Sequence, residues 1–449
     1  MNKRIRKTMI SIIVMILIVI GALSPCTSTA AGADAVDALI NDFQKETKCS
    51  SVSVVTYDHG ELTYYGDKDG LYQIGSMTKA FTGLAVQGLI DEGKLSEEDK
   101  VSDYISGFEA FYNGEKTDIT IKQLMSQTSG YTNNEKTYPS ATEDMTLAQW
   151  VDSISGKELS SAPGEEYAYS NVNYNLLGAI IEDITGVSYR DYMEKEILAP
   201  LSLADTYVGT PGQKDKIIEG TRLGYRRAFE YEIPVREGSI PAGYFYSDVA
   251  DMGTWLKIWI GEAELPETIK TDSILEKLKN KGDYYAGWER FDDDVIGHSG
   301  GTPNYSSRIV FSRDKKIGVC VLTNLNVAAS TDSLCNGIYD RISGNVSNAI
   351  ATDVWTVFDL VFTIISIVMI VLLIIVLLIR KKGLLIVTGI ILAVLMALIL
   401  ILFPMIFGSD MWSIVMIWAP WSLAGGLILI AADIVVALIR SIFGKWKKA

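Results

Sequence analysis

The chain runs to 449 residues, too long for one average domain and long enough for a large core with something appended. Its formal charge of −14 hides a split: residues 32–350 hold 29 Lys/Arg against 50 Asp/Glu, whereas four basic residues precede position 8 and seven follow position 379. So acidic a central region argues against nucleic acid as a partner, because phosphate binding is driven by Lys and Arg.

In chain order, the N-terminus reads as an export signal. Lys3, Arg4, Arg6 and Lys7 form a basic flank, Met9 to Leu23 is a 15-residue apolar stretch, and small residues up to Ala31 suit a signal peptidase. Pro25 before Cys26 does not suit lipidation. Cleavage leaves Cys49, Cys320 and Cys335, an odd number that predicts no disulfide framework.

The central region, 32–350, follows. Ser51 to Tyr57 and Gly60 to Gly66 predict a β-hairpin, and Tyr305 to Ser312 with Lys316 to Thr323 predict a second. Between them the pattern is helical, as in Thr78–Glu92, Ile121–Gln127, Tyr174–Thr185 and Ser247–Ile260. Strands at both ends with helices between predict an α+β fold: one antiparallel sheet built from both chain ends, flanked by helices, plus a helical lobe.

The mean hydropathy of +0.20 comes largely from the last hundred residues. Leu360–Ile379, Gly383–Phe407 and Met411–Ala432 are each long enough to cross a bilayer, which predicts an all-α three-helix membrane region over 354–449. Arg380, Lys381 and Lys382 lie between the first two spans, and Arg440, Lys445, Lys447 and Lys448 follow the third. The positive-inside rule then puts the C-terminus in the cytoplasm and the large domain outside, as the export signal does. Trp412, Trp418 and Trp421 are expected near an interface. Asp433, a turn or two inside the cytoplasmic end, is expected to snorkel, to pair with another helix, or to mark a proton or ion path. One span would anchor, so three invite a further role, such as a membrane partner or a dimer through the helices.

Three short patterns carry chemistry. Ser76-Met77-Thr78-Lys79 opens an apolar helix, so Lys79 lies on the same face as Ser76. A lysine packed there loses charge by desolvation and can take the serine proton. The pattern alone is weak, since Ser312 to Lys315 repeats it in a hairpin turn. Tyr169-Ser170-Asn171 precedes another helix, though Tyr131-Thr132-Asn133 matches it too. His298-Ser299-Gly300-Gly301 precedes the last hairpin, where glycines let backbone approach a substrate and expose N–H groups to an oxyanion.

Taken together and in this order, the three resemble the serine β-lactamase and penicillin-binding-protein superfamily, in its class C β-lactamase-like, peptidase S12 branch. The likeness spans roughly Val36 to Ile342 and includes Gln73–Lys79, Gly93-Lys94-Leu95, Leu124–Tyr131, Tyr174–Gly178, Pro241-Ala242-Gly243 and His298–Pro303. The resemblance implies Ser76 as acylated nucleophile, with Lys79 and Tyr169 sharing the proton work. Asn171 would hold the substrate amide, and the N–H groups of Ser76 and Gly301 would form the oxyanion hole. His298, with Ser299 and Gly300, would face the substrate. It implies neither cofactor nor metal.

Two departures stand out. His298 replaces the lysine of true β-lactamases, which weakens carboxylate pairing, and Gln127 replaces a common histidine and is read as structural. A hydrolase domain followed by three spans resembles the prodrug-activating peptidases of antibiotic and colibactin pathways, which remove an N-acyl-D-asparagine cap. The reading is therefore an extracytoplasmic, membrane-held serine peptidase or amidase for a small peptide-like substrate with a D-amino acid. The alternatives are a cell-wall D,D-carboxypeptidase, a D-alanyl esterase, a β-lactamase, or a non-catalytic penicillin sensor or scaffold.

Overall fold

A computed structural model of the chain describes residues 33–444 apart from Asp293 and Asn348. The export signal and Cys26 lie outside the described residues. The chain separates into two compact units: 27–221 with 230–351, and 222–229 with 352 onward.

The first unit begins with helix α1 (Ala33–Thr47) and strands β1 (Val52–Asp58) and β2 (Glu61–Tyr65). Its last part supplies β3 (Tyr284–Tyr285), β4 (Trp288–Arg290), β5 (Ile296–Thr302), β6 (Tyr305–Ser312) and β7 (Ile317–Thr323). These form one seven-stranded sheet in the order β3-β4-β5-β6-β7-β1-β2, antiparallel throughout, so both chain ends meet at the β1–β7 pair. Between them, α2 (Thr78–Asp91) and α3 (Asn171–Thr185) form the heart of the helical lobe, and α4 (Val249–Ile260) packs on the sheet. Helix α5 (Ala328–Ile342) packs on β6, β7 and α1.

Register decides which strand residues meet which layer. His298, Ile309, Cys320 and Val55 form one cross-strand row, and Ser299, Arg308, Val321 and Val54 the next. Successive side chains alternate faces, so the rows point opposite ways. The first joins the main core with α4, and the second lies under α5, whose Asp332 accepts from Ser299 Oγ at 2.8 Å. Cys49, Cys320 and Cys335 are buried free thiols.

The second unit holds α6 (Val354–Leu378), α7 (Lys382–Phe407) and α8 (Trp421–Phe443), all long and apolar enough to cross a membrane. Two boundaries differ from the sequence expectation. Helix α6 starts six residues early because Asp353 caps it, accepting from Trp355 N at 2.8 Å, and because buried Asp359 accepts from Ser422 Oγ at 2.8 Å. The third span starts at Trp421 because Pro420 has no N–H to continue the π-helical turn Ile414–Trp418.

The break leaves carbonyls open, and a segment of the central region closes them. Strands Thr221–Gly224 and Arg227–Glu230 form a hairpin through Tyr225 and Arg226, both at positive φ as a type I′ turn requires. Buried Arg222 donates to the carbonyls of Ala419 (Nε, 2.6 Å), Met416 (2.7 Å) and Val415 (2.5 Å), and stacks 3.9 Å from the Trp421 ring centroid. Arg226 N donates to Asp359 at 2.7 Å. Residues 222–229 therefore group with the helices. Asp433 is fully buried on the same α8 stripe as Gly426, Ile430 and Ala437, so it does not snorkel.

Candidate active site

Ser76 sits in a tight turn, Gly75–Met77, that runs into α2. Gly75 has φ +52°, and a Cβ there would stand 2.5 Å from the backbone nitrogen of Gly301. A Cβ on Gly300 would stand 2.0 Å from the carbonyl oxygen of Ile74. The serine turn and β5 therefore touch backbone to backbone, and only glycine permits it. A Cβ on Gly301 itself would meet only open space.

Lys79 follows one turn later, fully buried. Its Nζ donates to Ser76 Oγ at 3.1 Å, Asn171 Oδ1 at 2.7 Å and the Ala242 carbonyl at 2.6 Å. No carboxylate pairs with it among the described residues, and burial drives its pKa well below the ordinary lysine range. The Tyr169 ring centroid lies 4.9 Å from Nζ. Burial raises the Tyr169 pKa well above the usual phenol value, while the nearby Ser76 side chain opposes that rise. Its buried hydroxyl makes no well-formed hydrogen bond among the described residues. An amine that prefers neutrality and a phenol that keeps its proton thus flank one serine.

Tyr169 and Asn171 are placed by residues whose role their own motifs do not announce. Buried Gln127, at φ +59°, accepts from Ala168 N with its carbonyl (2.9 Å) and from Ser170 N with Oε1 (2.9 Å). Asn173 Nδ2 donates to the same Oε1, at 2.5 Å. Asn133, in the discounted Tyr131-Thr132-Asn133 copy, accepts from Asn171 N at 2.9 Å. The helix also begins at Asn171 rather than near Tyr174, capped by Ser170. The discounted serine behaves as expected: Ser312 Oγ donates to Asp294 and accepts from Lys315 N at 3.0 Å in a turn.

Two residues of the third pattern differ from expectation. His298 is only 2% exposed, with Nδ1–H donating to the Ser299 carbonyl at 2.6 Å and Nε2 facing the Tyr284 hydroxyl at 3.3 Å. Burial, then the Lys79 charge, lower its pKa to about 3, so it is a neutral, fully engaged side chain beneath Tyr169 rather than an open substrate contact. Ser299 points the other way, its hydroxyl held by Asp332 and by Arg308 at 2.7 Å. The structure thus brings together Ser76, Lys79, Tyr169, Asn171, His298, Gly300 and Gly301, and leaves the Ser299 side chain outside the group.

A Ser–Lys–Tyr cluster with a buried lysine, between a helix N-terminus and a sheet strand, defines a class, that of serine hydrolases working through an acyl-enzyme. The β-lactamase family matches residues 36–338, and the chain belongs to that family. Protein flp of Staphylococcus aureus (strain NCTC 8325 / PS 47) is 30% identical over 378 residues, covering 78% of this chain and 75% of that one. Penicillin-binding protein 4* of Bacillus subtilis (strain 168) is 26% identical over 286 residues, covering 57% and 61%. Among solved structures, the octameric penicillin-binding protein homologue from Pyrococcus abyssi superposes with TM-score 0.62 at 24% identity, over 71% of this chain and 78% of that one. A class C β-lactamase does so with TM-score 0.58 at 18% identity, over 71% and 99%. These two show a shared fold.

Proposed function

We propose that the protein is a membrane-anchored extracytoplasmic serine peptidase or amidase that forms an acyl-enzyme on Ser76. The observation that carries the reading is Lys79: a buried amine with no acidic partner among the described residues, 3.1 Å from the serine oxygen. In its neutral form it accepts the Ser76 proton as Oγ attacks the substrate carbonyl carbon. The oxyanion forms against the N–H groups of Ser76 and Gly301. As the bond to the leaving amine breaks, Tyr169, still protonated, passes a proton to that amine and is recharged from Lys79. Water then takes the place of the amine, and the same groups reverse their roles. Because Lys79 holds Asn171 Oδ1, the Asn171 NH₂ is directed away from it, as a donor for a substrate carbonyl.

The substrate class, a small peptide-like molecule with a D-amino acid, rests on the resemblance to prodrug-activating and cell-wall peptidases. Anchoring rests on the three apolar helices, and the outward orientation on their flanking charges. The names of the penicillin-binding relatives motivate the probe. A fluorescent β-lactam or phosphonate should add one adduct to the intact protein, on Ser76 and not on Ser312, and Ser76→Ala should abolish it. Retained turnover of the native substrate by Ser76→Ala would falsify the acyl-enzyme mechanism.

A further inference from the structure

Beside the catalytic group lies a cleft of about 860 Å³ that the chemistry above does not use. Tyr284, which lines it, packs edge-on to Tyr169 at 6.0 Å between centroids and meets His298. Tyr167, also lining it, is 56% exposed and stands 6.0 Å from the Tyr284 ring.

The charges on its wall nearly cancel. Lys122 pairs with Glu98 at 3.5 Å, and Arg290 with Asp283 at 3.2 Å. Glu289 remains. Its carboxylate is half-buried on β4, beside the catalytic strand, and makes no hydrogen bond or ion pair among the described residues. It is near enough that its charge raises the pKa of both Tyr167 and Tyr169. Arg308, whose charge is felt at Glu289, donates to Ser299, pairs with Asp332 and lies over the Phe291 ring at 4.5 Å. A partly desolvated carboxylate in a cleft that also presents the exposed ring of Tyr167 is an arrangement that selects an organic cation.

We propose that this cleft is the leaving-group subsite, and that Glu289 with Tyr167 selects substrates whose departing portion carries an ammonium or guanidinium group. The placement rests on the acyl-enzyme reading, in which Tyr169 protonates the departing group and so faces the side on which it leaves.

The test uses full-length protein in detergent and two N-acetyl-D-alanine thioesters with one acyl group. One carries a 2-(trimethylammonio)ethyl thiol and the other its neutral isostere, 3,3-dimethylbutyl thiol. Ser76 Oγ bonds to the acyl carbon, the C–S bond breaks, and the thiol departs with a proton, so thiol release and intact mass read the same step. Each rate is divided by that thioester's rate with hydroxide. The cationic thioester should acylate Ser76 about tenfold faster in wild type. The ratio should fall to about one in Glu289→Gln, and shrink with added NaCl in wild type, an arm that needs no variant. Equal ratios in wild type and Glu289→Gln, or a wild-type ratio near one at low salt, overturn the subsite while leaving the acyl-enzyme standing. Thiol release by Ser76→Ala at the wild-type rate overturns the acyl-enzyme reading, and the subsite with it.

Discussion

Lys79 is the residue on which the proposed chemistry turns, and its environment makes a pH prediction. Its pKa is lowered, so the fraction in the neutral form rises with pH through that depressed value. Acylation of Ser76 should therefore climb along an acid limb. His298, already neutral above about pH 3, should not contribute, and His298→Gln should leave the limb in place, as stopped-flow acylation between pH 4 and 9 can check. Lys79→Ala and Tyr169→Phe should each cost about 10³-fold, and the double variant far less than the product, because the pair moves one proton. A second carboxylate carries a stability prediction. Asp248 caps α4 through Asp251 N, yet burial raises its pKa from 3.8 to about 7. Folding then takes up a proton, so its contribution is full below about pH 4 and is lost as pH rises to 7. Asp248→Asn keeps the cap and should raise Tm by a few degrees at pH 8, with the gain gone at pH 4. At this scale the sequence was legible where chemistry and helix spacing coincide, as in Ser76 and Lys79. It marked Gln127 as structural and Ala242 only as part of a resemblance, and set Asn133 aside, because their contacts join distant segments. Ser299 was readable and misread, since a period of two puts it opposite His298.

Among the elements, the contact of β5 with the serine turn is the least forgiving. A methyl on Gly300 must displace the Ile74 backbone, so Gly300→Ala should lower acylation at least about 100-fold by spoiling the oxyanion edge, while Gly301→Ala, facing open space, should be far milder. Both can be read with the fluorescent probe against a circular-dichroism control. Strands β1, β2, β6 and β7 could be anticipated because each is a run rich in β-branched and aromatic residues bounded by a turn, whereas β3 and β4 are too short and β5 too glycine-rich to announce themselves. The three long apolar helices could be located by hydropathy, but their ends could not. Hydropathy does not register that Pro420 withholds a donor, or that Asp359 is tolerated because Ser422 and Arg226 N satisfy it. The hairpin at 222–229 looks like any short polar excursion until Arg222 finds its three carbonyls.

At the scale of the whole molecule, orientation is the open quantity, and charge makes the prediction. Protease added to spheroplasts should digest residues 32–350 and spare a tag placed after Ala449; the reverse pattern would overturn the positive-inside argument. Arg222 adds a requirement of a different kind. Carbonyls at 415, 416 and 419 are closed by a guanidinium from a segment about two hundred residues earlier in the chain. Left open in an apolar setting, each would cost about 1–3 kcal/mol, so Arg222→Ala should lower the thermal midpoint of the helical unit measured in detergent. In the proposed orientation, residues 222–229 leave the ribosome and cross the membrane well before α8 exists. The hairpin must therefore wait on the far side, folded or protected, until the last span arrives beneath it. Biogenesis thus has an order built into it: export first, insertion second, and closure of the bundle's outer end last.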